Sequence, residues 1–204
     1  MLKNDLLLYS TGPFGDTLNT DIVSPEPGSM GVPQSWYVLR VSYSRALKIR
    51  EAIDVKGIRT FVPMMWRRRQ VGTKTEKVLV PAVSNLCFAY WTRQGIEEYI
   101  RGFGEKSPVH FYWDRTGDRP MTVPDKAMED FIKVASTLDE DLIYLTEISG
   151  KLREGQPVKV KEGPFKGVEG KIVRIRKSRR ILVELPGMLA VASTYVPAEV
   201  LEIM

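Results

Sequence analysis

The final quarter of the chain constrains the fold most. PVKVKE, GKIVRIR, RRILVEL, LAVASTYVP and VLEIM are five short runs of apolar and β-branched residues, separated by glycine, proline or charge. Strands this short and this closely spaced suit a small closed β-barrel. The first turn, VKVKEGPFKGVEGKI, is the most specific. Val158 and Val160 alternate with Lys159 and Lys161, so one face of the strand is apolar and the other basic. Gly163, Gly167 and Gly170 then permit positive φ or close backbone approach, while Pro164 fixes its own φ. Phe165, near the tip, either plugs the barrel end or projects as a contact.

Upstream the pattern changes. SWYVLRVSY reads as a strand, and Ser44 is placed to cap a helix running to Lys56 with Ala46, Ile49 and Ile53 on one stripe. IRTFVP is a second strand, WRRRQVGTKTEK an exposed hairpin tip around Gly72, and VLVPAVSNLCFAYW a returning strand bulged near Pro81. A helix over Gln94–Gly102, a strand at PVHFYW, and a helix carrying Met128, Phe131, Ile132 and Ala135 after Pro124 complete the order β-α-β-β-α-β-α. This predicts an α+β domain, an antiparallel sheet flanked by helices, followed by the small all-β barrel. Four segments result: an extension over residues 1–33 rich in Ser, Thr, Gly and Pro, the α+β domain over 34–135, a linker over 136–152 with an acidic cluster, and the barrel over 153–204.

Composition narrows the chemistry. A net charge of +5 is a mild basic excess that favours anionic surroundings without deciding on them. One cysteine, Cys87, and one histidine, His110, exclude a disulfide framework and leave no Cys/His zinc set within the chain. Cys87 lies in an apolar strand without the His or Asn pattern of a nucleophile, and His110 reads as a core residue. The carboxylates Glu97 and Glu98 and the Asp139–Asp141 cluster have no base or metal partner in view. The expectation is a cytoplasmic, monomeric binding protein with no catalytic residue, metal, cofactor or membrane partner.

EGQPVKVKEGPFKGVEGKIVRI closely resembles the KOW motif of the NusG family, on Gly155, Val158, Val160, Gly163, Pro164, Phe165, Gly167 and Gly170. SWYVLRVSYSRALKIREAI resembles the first strand and helix of that family's N-terminal domain, and RPMTVPDKAMEDFI its last helix. QSWYVL and SNLCFAY are closer to the specialised RfaH and UpxY-type paralogs than to the housekeeping factor. The resemblance spans Gln34 to Met204. It implies an SH3-like KOW barrel and a transcription elongation or antitermination factor for particular long operons such as capsular polysaccharide loci. A ribosome- or RNA-associated KOW protein is the alternative.

The resemblance also implies sites. An apolar patch that grips the clamp of RNA polymerase maps onto Val83, Leu86 and Phe88, with Tyr37 as a neighbour. Independently, alternation in SNLCFAYW puts Leu86, Phe88 and Tyr90 on one face and Cys87, Ala89 and Trp91 on the other, so both faces are apolar and each needs a cover, a helix or a partner. Arg67, Arg68, Arg69 and Lys74, with Lys77 and Trp66, form a basic loop suited to phosphate contacts, with non-template DNA or nascent RNA as the implied partner, or else to simple solvation. A second basic run, RIRKSRR, suits RNA, an acidic partner or solubility. The barrel would recruit a small-subunit ribosomal protein or Rho through ELPGMLAV, where Pro186 stands in place of the housekeeping factor's Phe.

Overall fold

The computed structural model describes residues 32–114, 116–146, 155–175 and 177–204. The expected extension lies outside the described residues up to residue 31, as do residues 147–152 of the expected linker and residues 153–154 of the expected barrel. The chain divides between Val32 and Pro33, and Pro33–Met204 is one compact unit.

Alternation in QSWYVLRV produces strand β1 (Gln34–Val41), with Trp36 and Val38 on one face and Leu39 and Val41 both buried at the turn to the other. The chain reverses through Tyr43 and Ser44, both at positive φ, into α1 (Ala46–Asp54). Ser44 therefore does not cap the helix as expected; the left-handed turn takes its backbone out of the N-cap geometry, and Arg45 occupies that position without a side-chain hydrogen bond. Ala46, Ile49 and Ile53 form the buried stripe. Strands β2 (Thr60–Phe61), β3 (Met64–Val71), β4 (Lys74–Pro81) and β5 (Leu86–Thr92) follow, with β3 and β4 paired as a separate two-stranded ribbon. Thr92 caps α2 (Arg93–Arg101), its hydroxyl accepting from the Gly95 N–H at 3.0 Å. Strands β6 (Val109–Phe111) and β7 (Thr122–Val123) then lead into α3 (Asp125–Ala135).

The first sheet has the order β2-β5-β1-β6, with β7 also on β1, and its pairings are antiparallel. One face carries Leu39, Cys87 and Ala89 against Ile49, Ile53 and Ile96 of α1 and α2. The other carries Trp36, Val38, Leu86 and Phe88 against Met128, Phe131 and Val134 of α3. His110 departs from its expected place in the core. It points outward opposite Arg40, because β6 alternates and spends its inward positions on Val109 and Phe111.

The C-terminal region is all strand apart from one short helical turn. β8 (Ile143–Leu145), β9 (Pro157–Val160), β10 (Glu169–Ile175), β11 (Ser178–Leu185), β12 (Leu189–Ala192) and β13 (Leu201–Ile203) pair in the order β13-β9-β10-β11-β12-β8. The five expected strands are β9 to β13; β8 arises inside the expected linker. The pairing path is open, with β13 and β8 at its ends, where strand count led to the expectation of a closed barrel. The physical reason is that β8 takes the free edge of β12 while α3 lies over the apolar face. Gly163 and Gly167 hold the β9–β10 turn at φ 81° and 85°, and Phe165 folds back into the core at 7% exposure.

Gly170 serves a different purpose. It opposes Val158 in the ladder, and a Cβ there would lie 2.6 Å from the Leu182 carbonyl oxygen and 2.7 Å from Ile181 Cγ2. Gly170→Ala is expected to cost about 1–3 kcal/mol through overpacking, read as a lower urea midpoint with an unchanged m-value.

Candidate partner-binding surface

Helix α3 is the joint of the molecule. Its inner stripe meets the first sheet, where the Phe131 ring lies 6.2 Å from both Phe61 and Phe88. It also meets the C-terminal sheet, through apolar packing with Val183, Leu185 and Val191 and through a polar cluster beside it. Asp130, only 6% exposed, accepts from the Lys126 ammonium at 2.6 Å and from the Glu169 backbone N–H at 3.1 Å. The same ammonium donates to the Gly167 carbonyl at 2.9 Å, and Lys133 donates to the Lys166 carbonyl at 2.6 Å. The glycine-rich turn of the C-terminal sheet is thus clamped to one helix by two lysines and a buried carboxylate, whose charges strengthen each hydrogen bond.

Strand β8 closes the arrangement. The Tyr144 ring packs 6.4 Å from Phe131, and its hydroxyl donates to the Met64 carbonyl at 3.1 Å. Burial pushes the Tyr144 phenol well above its ordinary range, so it stays a donor. Arg180 of β11 donates to the Asp141 carbonyl at 2.6 Å and the Ser193 carbonyl at 2.8 Å, fixing the approach to β8.

Against this frame the sequence candidates separate. Val83, Leu86 and Phe88 share one packed cluster, with Leu86 and Phe88 fully covered by α3 and Val83 half-buried at its margin. Tyr37 lies on the opposite face, opposite Ala89, with its ring 5.7 Å from Phe111. Period-two alternation already separates position 37 from position 88 once Val38 pairs with Phe88, but that register is visible only in the structure. Leu185, Leu189 and Val191 of ELPGMLAV are buried in the cluster that contains α3, and β8 pairs along β12. The residues missed from sequence are the clamp itself, Lys126, Asp130 and Lys133. Their i, i+4 spacing gives Lys126 and Asp130 a common face, but nothing local marks that face as buried.

The ribbon β3–β4 carries Arg67, Arg68, Arg69 and Lys74 exposed. Arg68 is directly opposite Lys77 in the register, and Lys77 is paired with Glu140 at 2.5 Å. Trp66 anchors the base by donating to the Leu138 carbonyl at 2.9 Å. Among the described residues, no group of three or more His, Cys, Asp or Glu side chains is placed to hold a metal ion, and no helix is long and apolar enough to cross a membrane.

Residues 34–132 match the family model described as NusG, transcription termination factor nusG. No curated protein matches the chain. A solved structure of Thermotoga maritima NusG, reported for its domain interaction, is similar with a TM-score of 0.43 and 18% identity, over 84% of this chain and 98% of that one.

Burial pushes the Cys87 thiol up from 9.0 to about 12, with Asp54 adding to the effect. The native thiol is expected to resist an aromatic disulfide reagent at pH 8 and to react once urea unfolds the chain. The unfolded thiol ionises first as pH rises. The stability difference between wild type and Cys87→Ala should therefore be constant below pH 9 and shift against the wild type between 9 and 12.

Proposed function

We propose, from the match of residues 34–132 to the NusG family model, that the protein belongs to that family and is a transcription elongation factor of the antitermination kind. In this reading it binds the clamp region of RNA polymerase through the N-terminal domain and suppresses pausing or termination, in the cytoplasm and without catalytic chemistry. The match over 34–132 is the observation that carries it. Specialisation for long operons such as capsular polysaccharide loci is supported by QSWYVL and SNLCFAY, and the KOW assignment of 153–204 by the glycine-rich turn.

Polymerase would meet the face that bears Val83, Leu86 and Phe88, with the exposed Arg67, Arg68, Arg69 and Lys74 of the ribbon directed to non-template DNA. That face shares one apolar core with α3 and with Leu185, Leu189 and Val191 of the C-terminal sheet, and β8 packs onto α3 at Phe131. Engagement then draws on the population in which the C-terminal sheet has left that shared core, and its apparent affinity falls with that fraction. A released sheet is free to recruit a second partner, such as a small-subunit ribosomal protein or Rho, at the edge that β8 now fills.

The test is retention on immobilised core RNA polymerase. Phe88→Ala is unsuitable, because truncating a fully buried Phe costs about 3–5 kcal/mol of fold stability. Asp130→Ala weakens the clamp instead, by removing its bonds to Lys126 and the Glu169 N–H, and is expected to raise retention several-fold over wild type. Val83→Asp in that background is expected to lower it again, with circular dichroism confirming both folds. No retention of any variant, together with capture by ribosomal RNA, would replace this reading with that of an RNA-associated KOW protein.

A further inference from the structure

The C-terminal sheet pairs two of its cations with carboxylates across strands, but one end carries a different arrangement. Lys159 faces Glu169 at 3.2 Å, and Lys171 reaches Glu184 at 3.2 Å. At the β10–β11 turn cations face cations instead. Arg174 stands directly opposite Arg179 in the register, and no ion pair among the described residues involves Arg174, Lys177 or Arg179. Directly opposed like charges destabilise a sheet, so this end is held together against its own electrostatics. Lys177 adds a third cation on a left-handed turn residue, at φ 65°.

An aromatic stands beside them. Tyr195 is 62% exposed, while its neighbour Val196 is buried and donates its N–H to the Arg179 carbonyl at 3.3 Å. That bond, with Ser193 N–H on the Ile181 carbonyl at 2.9 Å, holds the tyrosine against the basic strand. Arg174, Lys177, Ser178, Arg179 and Tyr195 line one open pocket of about 460 Å³.

We propose that this pocket is a binding site for single-stranded nucleic acid, in which the two arginines and Lys177 take consecutive phosphodiesters and Tyr195 stacks on a base. Guanidinium forks match phosphate oxygens two at a time, and a phosphate between Arg174 and Arg179 turns their mutual repulsion into attraction to the ligand. An exposed, backbone-anchored aromatic beside a cationic track is the arrangement that unpaired bases use. A duplex, with its bases stacked inside, cannot use Tyr195. RNA and DNA strands share this chemistry, and neither the ribbon nor the polymerase-facing surface takes part, so the site stands independently of the function proposed above.

The experiment measures fluorescence anisotropy of a labelled mixed-sequence 20-nucleotide strand, as RNA and as DNA, with the full chain in which Arg67, Arg68 and Arg69 are changed to Gln. Binding of either strand is expected, weakening with salt and weaker for the duplex, and the tighter of the two identifies the source. Arg174→Gln and Arg179→Gln should each flatten the salt dependence by roughly 0.7 in the log–log slope. Tyr195→Ala should weaken binding about tenfold. All three positions are at the surface, so far-ultraviolet circular dichroism should be unchanged. The proposal is overturned if neither strand binds, if the arginine variants bind like their parent, or if Tyr195→Ala binds unchanged. Displacement by poly-glutamate as effective as by the strand itself would overturn it too, since it would mean an acidic protein surface is the ligand.

Discussion

Everything in the 33–204 unit depends on α3 being buried from two directions. A surface helix ordinarily hides one stripe and wets the other. Here Met128 and Phe131 are buried with Leu86 and Phe88, while Asp130, on another side, lies under the turn that begins β10. Each large apolar side chain buried at this joint contributes about 1.5–3 kcal/mol. The carboxylate between the layers is tolerated because Lys126 and a backbone N–H satisfy it. Without the helix the first sheet would expose one apolar face and the C-terminal sheet another.

This arrangement separates what holds the sheets together from what each could offer a partner. The sheets and α3 share one apolar core, in which Leu185, Leu189 and Val191 are buried with Val38, Phe88 and Phe131, with an aromatic cluster of Phe61, Phe88, Phe131 and Tyr144 within it and the charge-assisted bonds of Lys126, Asp130 and Lys133 beside it. The basic ribbon and the cationic end of β10–β11 both lie outside the joint and remain exposed while it is closed.

Much of this architecture was legible in the chain. The stripe Ala46, Ile49 and Ile53, the helix through Phe131, the two apolar faces of SNLCFAYW and the five C-terminal strands all follow from local periodicity, which reports burial wherever one element packs on one neighbour. Reading failed where a contact comes from distant sequence. His110 sits in an apolar run but points outward, because three residues of edge strand cannot announce which face is covered. Tyr37 was grouped with Leu86 and Phe88, although the register puts it behind them.

The sequence by itself determined the element types, the antiparallel sheet flanked by helices, the glycine-rich turn and the basic tips, since each rests on spacing, side-chain shape or charge within a few residues. Only the tertiary structure decided that β8 completes the C-terminal sheet, that the apolar face of Leu86 and Phe88 is covered, and that Arg174 and Arg179 stand opposed beside Tyr195. These are pairings between segments tens of residues apart. Their energy comes from burial and from register, and neither is written in any one stretch of the chain.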